Sequence, residues 1–249
     1  MHSLPILILP GTLCTGAMFT HQIEQLSQYS NNISVVQFTT EATLPEMAAL
    51  VISSTNQQPC AIIGFSMGGI VAAEVAKTHP HLIAKLALIN SNSHADLPER
   101  KAGRAALIKQ ANEGQLSALI QNNFMPNYLY QQKDEYQKII IDMALSLGEK
   151  CFAAQAMAIE NRPDTLNVLK NLEADIVIIS GLQDNICAVE HQLIMHKALP
   201  NSELLLLDEC AHFSPLEQAS KVSEALIQWY LLPLNDTQPT AQNTAAVKP

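Results

Sequence analysis

The chain has 249 residues, 48% of them hydrophobic, with a formal net charge of −9 and a pI near 5.3. That length suits one sizeable domain or a core carrying an insertion, and the acidic balance offers no basic face for a phosphate backbone, which excludes nucleic acid as a partner. Five scattered cysteines without metal-ligand or Cys-x-x-Cys spacing read as reduced thiols of a cytoplasmic protein. No apolar run reaches the length of a membrane span, and Leu4 to Leu9 is too short and too weakly flanked for a signal peptide.

In chain order, Pro5 to Leu9 is a short branched apolar run, as expected of a buried strand. A loop over Pro10 to Gly16 leads to a helix from about Ala17 to Ser27, and Ile33 to Phe38 is a second strand. Thr43-Leu44-Pro45-Glu46 is a capping box that opens a helix to about Ser53. Cys60 to Gly64 is a third strand. The segment after Ser66 is helical to about Thr78, and Lys85 to Asn90 is a fourth strand. From about Leu97 to Leu172 only helical patterns occur, the first opened by a second box, Asp96-Leu97-Pro98-Glu99, with divisions at Gly114, Met125-Pro126-Asn127 and Gly148. Alternation then resumes: a strand at Asp175 to Ser180, a helix at Val189 to Leu199, a strand at Glu203 to Leu207, and a last helix at Pro215 to Leu231.

Strand–helix alternation predicts an α/β fold, a doubly wound parallel sheet of about six strands with its site at the carboxyl ends of the strands. The helical stretch, residues 97–172, starts just past one such end and is expected to form a lid over the core, residues 1–96 and 173–234. The polar tail, 235–249, reads as disordered.

Gly64-Phe65-Ser66-Met67-Gly68 stands between the third strand and an alanine-rich helix. This is the strand–turn–helix setting in which a serine hydroxyl is held clear of the sheet on a strained turn. Gly64 and Gly68 are expected where strand and helix pass too closely for a Cβ. A serine needs a base, and the base an acid to orient it. His212 follows the last strand and is the expected base; His94, after the fourth strand, is its rival. Asp184, just past the strand that resumes after the lid, is the expected acid, with Asp208, Glu209 and Asp96 as alternatives. Donors for an oxyanion are expected from the backbone N–H of Met67 and, in the loop after the first strand, of Thr12, with Leu13 as the alternative.

Together, Leu9-Pro10-Gly11-Thr12-Leu13-Cys14, Gly64-Phe65-Ser66-Met67-Gly68-Gly69, Ser180-Gly181-Leu182-Gln183-Asp184 and Cys210-Ala211-His212-Phe213 resemble the α/β-hydrolase superfamily, in its small, lidded bacterial branch. The resemblance spans roughly Leu4 to Leu231. It implies hydrolysis of a small acyl ester through an acyl-enzyme on Ser66, with His212 and Asp184, and it calls for no metal or organic cofactor. The alternatives are a thioester, a carbon–carbon bond or a lyase step resembling the menaquinone-pathway synthase on the same triad, a carrier-protein-linked methyl ester, and, last, a non-catalytic binding protein. Members often carry His-Gly in the first loop, where this chain has Pro10-Gly11.

Counted from Leu97 to Glu173 the lid is neutral, with nine Lys/Arg against nine Asp/Glu, yet it holds all three arginines of the chain. Arg100 and Arg104 share a helix face. This reads first as a solvated face, and alternatively as a dock for a substrate carboxylate or an acidic carrier protein. Leu13, Phe124, Met125, Phe152, Arg162 and Phe213 are the expected substrate contacts, with Tyr128 and Met157 as further candidates for an apolar acyl pocket. A monomer and a homodimer fit equally well.

Overall fold

The computed structural model describes residues 4–234; the tail expected at 235–249 lies outside them. Six strands, β1 (Ile6–Leu9), β2 (Ile33–Val35), β3 (Cys60–Phe65), β4 (Ile83–Ile89), β5 (Asp175–Gly181) and β6 (Ser202–Leu207), form one parallel sheet in the order β2-β1-β3-β4-β5-β6. The order turns back between β1 and β3, so the carboxyl ends of these two strands open a crevice at the switch point. The second strand is shorter than its apolar pattern suggests. It is an edge strand, and Val36 and Phe38 beyond it are buried while Thr39 and Thr40 lie in a loop held by Glu41.

Alternate residues of the central strands feed two separate cores, as the two-residue period of a strand requires. Ile6, Ile8, Ala61, Ile63, Ala87, Ile89, Val177 and Ile179 face one side. Leu7, Leu9, Ile62, Leu86, Leu88, Ile176 and Ile178 face the other. Helices α1 (Thr20–Leu26) and α11 (Ala219–Leu231) cover the first core, preceded by a short turn, α10 (Ser214–Glu217). Helices α2 (Leu44–Ser54), α3 (Met67–Thr78) and α9 (Val189–Ala198) cover the second. The capping box at Thr43 is present in full, with Glu46 N–H donating to Thr43 Oγ1 and the Glu46 carboxylate accepting from Thr43 N–H.

Between β4 and β5 the chain is helical: α4 (Pro98–Gln110), α5 (Leu116–Leu119), α6 (Met125–Tyr128), α7 (Asp134–Glu160) and α8 (Leu166–Lys170). Gly114 and Gly148 interrupt it with positive φ, at 79° and 80°, the conformation that glycine alone adopts freely. The second expected capping box does not form. Leu97 is the N-cap of α4 without a side-chain cap bond, because the Asp96 carboxylate is drawn into ion pairs with Arg104 and Arg162. Pairing with two guanidiniums replaces a single bond to a backbone N–H there. The apolar faces of these helices, through Leu116, Leu119, Ile120, Met125, Ile140, Met143 and Phe152, merge with the first core, so the insertion and the sheet share one apolar interior. Among the described residues no helix is long and apolar enough to cross a membrane.

Candidate active site

Ser66 follows β3 at φ 50° and ψ −114°, a strained conformation for a residue with a Cβ. Its N–H stays in the sheet, donating to the Ile89 carbonyl at 2.9 Å, and its carbonyl accepts from Ser91 Oγ at 2.8 Å. The turn is possible only because the glycines around it lack side chains. A Cβ on Gly68 would lie 1.9 Å from the Leu9 carbonyl oxygen, and one on Gly64 would lie 2.7 Å from the Gly69 backbone.

Ser66 Oγ lies 3.0 Å from Nε2 of His212, whose Nδ1 lies 2.9 Å from Asp184 Oδ2. An ionised carboxylate only accepts, so the imidazole proton sits on Nδ1 and Nε2 is left to accept from the serine hydroxyl. Asp184 is 4% and His212 3% exposed. Burial pushes the Asp184 carboxyl up, but the His212 charge and hydrogen bond, the Cys187 N–H and the Asn90 amide together outweigh it and hold it below the usual carboxylate range. Its Oδ1 accepts from the N–H groups of Ile186 and Cys187, at 2.8 and 2.9 Å, and its Oδ2 from Asn90 Nδ2 at 2.8 Å.

The loop after β1 turns back at Gly11, where Cys14 N–H donates to the Gly11 carbonyl and Leu13 has φ 56°. A Cβ on Gly11 would sit 3.2 Å from the Ser66 Cβ, so the loop passes directly beside the serine. Leu13 N–H is occupied by Gln155 Oε1 at 2.8 Å, which removes it as a free donor. Thr12 N–H makes no hydrogen bond among the described residues. Met67, the first residue of α3, has no intrahelical acceptor for its own N–H. The Thr12 hydroxyl reaches Met67 Sδ at 3.6 Å and links the two donors' segments.

Of the expected substrate contacts, Phe124, Phe152, Arg162 and Phe213 line a cavity of about 400 Å³ over Ser66, together with Tyr128, Arg100 and Arg104. That volume falls in the ordinary range for small-molecule sites. Two candidates are placed elsewhere. Leu13 and Met125 are buried core residues that do not reach the cavity, because the turn at Gly11 and the first turn of α6 aim them into the shared apolar interior. Met157 is 46% exposed and borders a separate surface hollow.

The rivals sit apart from this chain of hydrogen bonds. His94 packs against His191 with ring centroids 4.2 Å apart, and its Nδ1 contacts the Ala95 carbonyl. Asp208 accepts from Gln183 and from Glu209 N–H at the surface. Asp96 is the arginine partner described above. The donor atoms of Asp184, Cys187 and His212 lie within 4.8 Å of one another. Asp184 and His212 are engaged with each other, and the Cys187 thiol, pushed up to about 12 by burial, accepts from Asn92 Nδ2 at 3.2 Å. The Cys14 thiol, which also borders the cavity, is likewise raised by burial and behaves as a small apolar group.

Three contributors, and a second role for Tyr128, were not apparent from sequence. Asn90, at the end of β4 with φ 45°, donates to both Asp184 Oδ2 and the Ala211 carbonyl, and accepts from Ser214 Oγ. Gln155 of α7 spans from Leu13 N–H to the Phe38 carbonyl, to which it donates at 2.9 Å. The Tyr128 carbonyl accepts from both His212 N–H and Phe213 N–H, and its ring stacks on the His212 imidazole. Glu217 accepts from Tyr130 N–H at 2.6 Å and Ala211 N–H at 3.0 Å, bridging the insertion to the histidine loop. Only Asn90 carried a signal: it opens the polar run Asn90-Ser91-Asn92-Ser93 at a carboxyl strand end.

Residues 25–219 match the family described as alpha/beta hydrolase fold. Among curated relatives, a pimeloyl-acyl-carrier-protein methyl ester esterase of Neisseria meningitidis is 24% identical over 212 residues, covering 82% of this chain and 67% of the relative. Among solved structures, a thermophilic esterase of Thermogutta terrifontis superposes with a TM-score of 0.83 at 23% identity, covering 92% of this chain and 89% of that one. MenH of S. aureus superposes with a TM-score of 0.82 at 17% identity, covering 92% and 94%.

Proposed function

This chain belongs to the alpha/beta hydrolase fold family, and from that premise we propose that it hydrolyses carboxylic esters through an acyl-enzyme on Ser66. The observation that carries the reading is the unbroken hydrogen-bond chain from Ser66 Oγ through His212 to Asp184, at 3.0 and 2.9 Å, on a strained turn at the sheet's switch point. His212 Nε2 takes the serine proton as Oγ attacks the ester carbonyl. The oxyanion is met by the N–H groups of Met67 and Thr12, one at a helix N-terminus. The tetrahedral intermediate collapses, and His212 hands the proton to the departing alcohol. Water then enters, gives a proton to His212 and attacks the acyl-serine. Collapse of the second intermediate returns that proton to Ser66 and releases the acid, so ester and water become acid and alcohol. Asp184 keeps the imidazole in one tautomer and orientation and balances its charge while it is protonated. Phe65, Tyr128 and Phe213 pack around the imidazole and limit its rotation.

Ester and methyl ester hydrolysis, named for two of the relatives, support this substrate class, and the thioester, carbon–carbon and lyase alternatives use the same nucleophile. The test is labelling with a fluorophosphonate, followed by mass spectrometry of the modified peptide and turnover of short-chain p-nitrophenyl esters. The expected adduct is on Ser66, absent from Ser66→Ala, and turnover is lost with it. An unlabelled Ser66 in folded protein, or ester turnover that survives Ser66→Ala, overturns the reading.

A further inference from the structure

The cavity over Ser66 is electrostatically one-sided. Among its described lining residues are all three arginines of the chain, Arg100, Arg104 and Arg162, and no carboxylate. One acid stands behind them. Asp96, with its side chain 1% exposed, holds Arg104 at 2.7 Å and Arg162 at 2.8 Å. Its Oδ1 is close to Arg162 Nη1 but out of line for a hydrogen bond, so even this pairing is incomplete. Arg100 has no ion-pair partner among the described residues and donates a hydrogen bond from Nη2 to the Ile186 carbonyl at 2.8 Å. Three guanidiniums against one carboxylate leave an excess of two positive charges beside a space whose apolar lining is Leu107, Phe124, Phe152 and Ile159.

Gathering like charges at a half-buried wall is costly unless something neutralises them. The cost is visible nearby: burial, then repulsion by Arg104 and Arg100, offset by Asp96, lowers the basicity of Arg162. His94, whose carbonyl accepts from Arg162 Nε, is held less basic by burial and by the positive groups beside it. A solvated helix face does not explain this arrangement. Arg104 is 14% exposed at its side chain, whereas the neighbouring Lys101 points to the surface and bonds Asn161.

We infer that this arginine wall binds an ionised acid group on the substrate, so that the preferred substrate is an ester that also carries a carboxylate separated from the scissile carbonyl by an apolar chain. Arg100 is the principal contact, because its donors are the least committed. A planar guanidinium presents five N–H groups in a fork that matches a carboxylate. The phenylalanines and Leu107 take the intervening methylenes. This rests on the ester reading above but is tested separately from it.

The experiment compares monomethyl with dimethyl esters of straight-chain dicarboxylic acids, from succinate to suberate. These pairs differ chiefly in the remote charge. With the intact enzyme, kcat/KM is expected to favour the monoester at least tenfold at the chain length that spans the cavity. That preference should fall at least tenfold in Arg100→Gln, stay within twofold in Lys101→Gln, and weaken on raising sodium chloride from 0.02 to 0.5 M. In parallel, calorimetry on Ser66→Ala measures binding of the same esters without turnover, and Ser66→Ala/Arg100→Gln should lose the monoester preference. A monoester advantage that is absent at every chain length, in turnover and in binding, overturns the inference, as does one that Arg100→Gln leaves unchanged. If the enzyme turns over none of the esters, the hydrolase reading fails, while binding to Ser66→Ala still decides the anion site.

Discussion

Gln155 is the perturbation with the most to say about how the site is held. It is fully buried, and its amide makes two bonds, from Leu13 N–H to Oε1 at 2.8 Å and from Nε2 to the Phe38 carbonyl at 2.9 Å. Gln155→Leu keeps the volume and removes both. An unsatisfied buried backbone group costs about 1–3 kcal/mol, and since only Leu13 N–H is orphaned while the Phe38 carbonyl keeps Cys151 and Gln37, the expected loss is about 1–3 kcal/mol, which a domain of ordinary stability survives. The kinetic effect follows from position. Leu13 is adjacent to Thr12, and freeing its N–H lets the turn at Gly11 drift from Ser66. Removing one oxyanion donor outright costs about 10²–10³ in rate; displacing one is expected to cost about 10–100-fold in kcat with KM little changed. Cys151→Ala is the companion. Cys151 also contacts the Phe38 carbonyl but not Leu13, so it is expected to cost stability and leave kcat within twofold. The assay is ester hydrolysis beside urea denaturation of each variant. A folded Gln155→Leu with native kcat, or a Cys151→Ala that slows turnover equally, refutes the argument.

Asp184→Asn should reduce kcat by roughly 10⁴ through the wrong imidazole tautomer, read by stopped-assay turnover at fixed ester concentration. The same substitution bears on acid stability. The folded Asp184 carboxyl titrates below its unfolded value, so its contribution is fully present above about pH 3.9 and fades as pH falls through the folded value. Urea denaturation is therefore expected to show native protein more stable than Asp184→Asn at pH 6, with the gap narrowing towards pH 2.5; a constant gap contradicts this. Gly68→Ala forces a Cβ to 1.9 Å from the Leu9 carbonyl oxygen and is expected to abolish soluble expression or lower Tm steeply. Gly103→Ala, with open space around it in α4, should gain about 0.5–1 kcal/mol in the same melts. Asn90→Ala removes two donors behind Asp184 and His212 and should lower kcat about tenfold, with Ser214→Ala giving a smaller loss.

What could be read from sequence was what depends on local order. Strand runs, their carboxyl ends and the glycines of the turn at Ser66 placed Ser66, Asp184 and His212 at one sheet edge, and the structure brings them into hydrogen-bond reach. Long-range contacts from residues that no local motif marks were illegible. Gln155 meets Leu13 from 142 residues away, and Asn90 meets Asp184 from 94. The failed box at Asp96 shows the same limit from the other side. Its spacing is that of a cap, but Arg162, distant in sequence, competes for the carboxylate. Leu13 and Met125 were misplaced because an apolar side chain in a site loop looks the same whether it faces ligand or core.

The ties at Tyr128 and Gln155 bear on how such a protein can be re-engineered. The segment that shapes the substrate cavity also supplies the carbonyl that anchors the histidine loop and the amide that fixes the turn beside Ser66. Specificity and rate are therefore not interchangeable modules here. A chimera that receives another protein's insertion inherits its pocket but forfeits three backbone anchors, unless the graft restores an acceptor opposite His212 and Phe213 and an amide opposite Leu13.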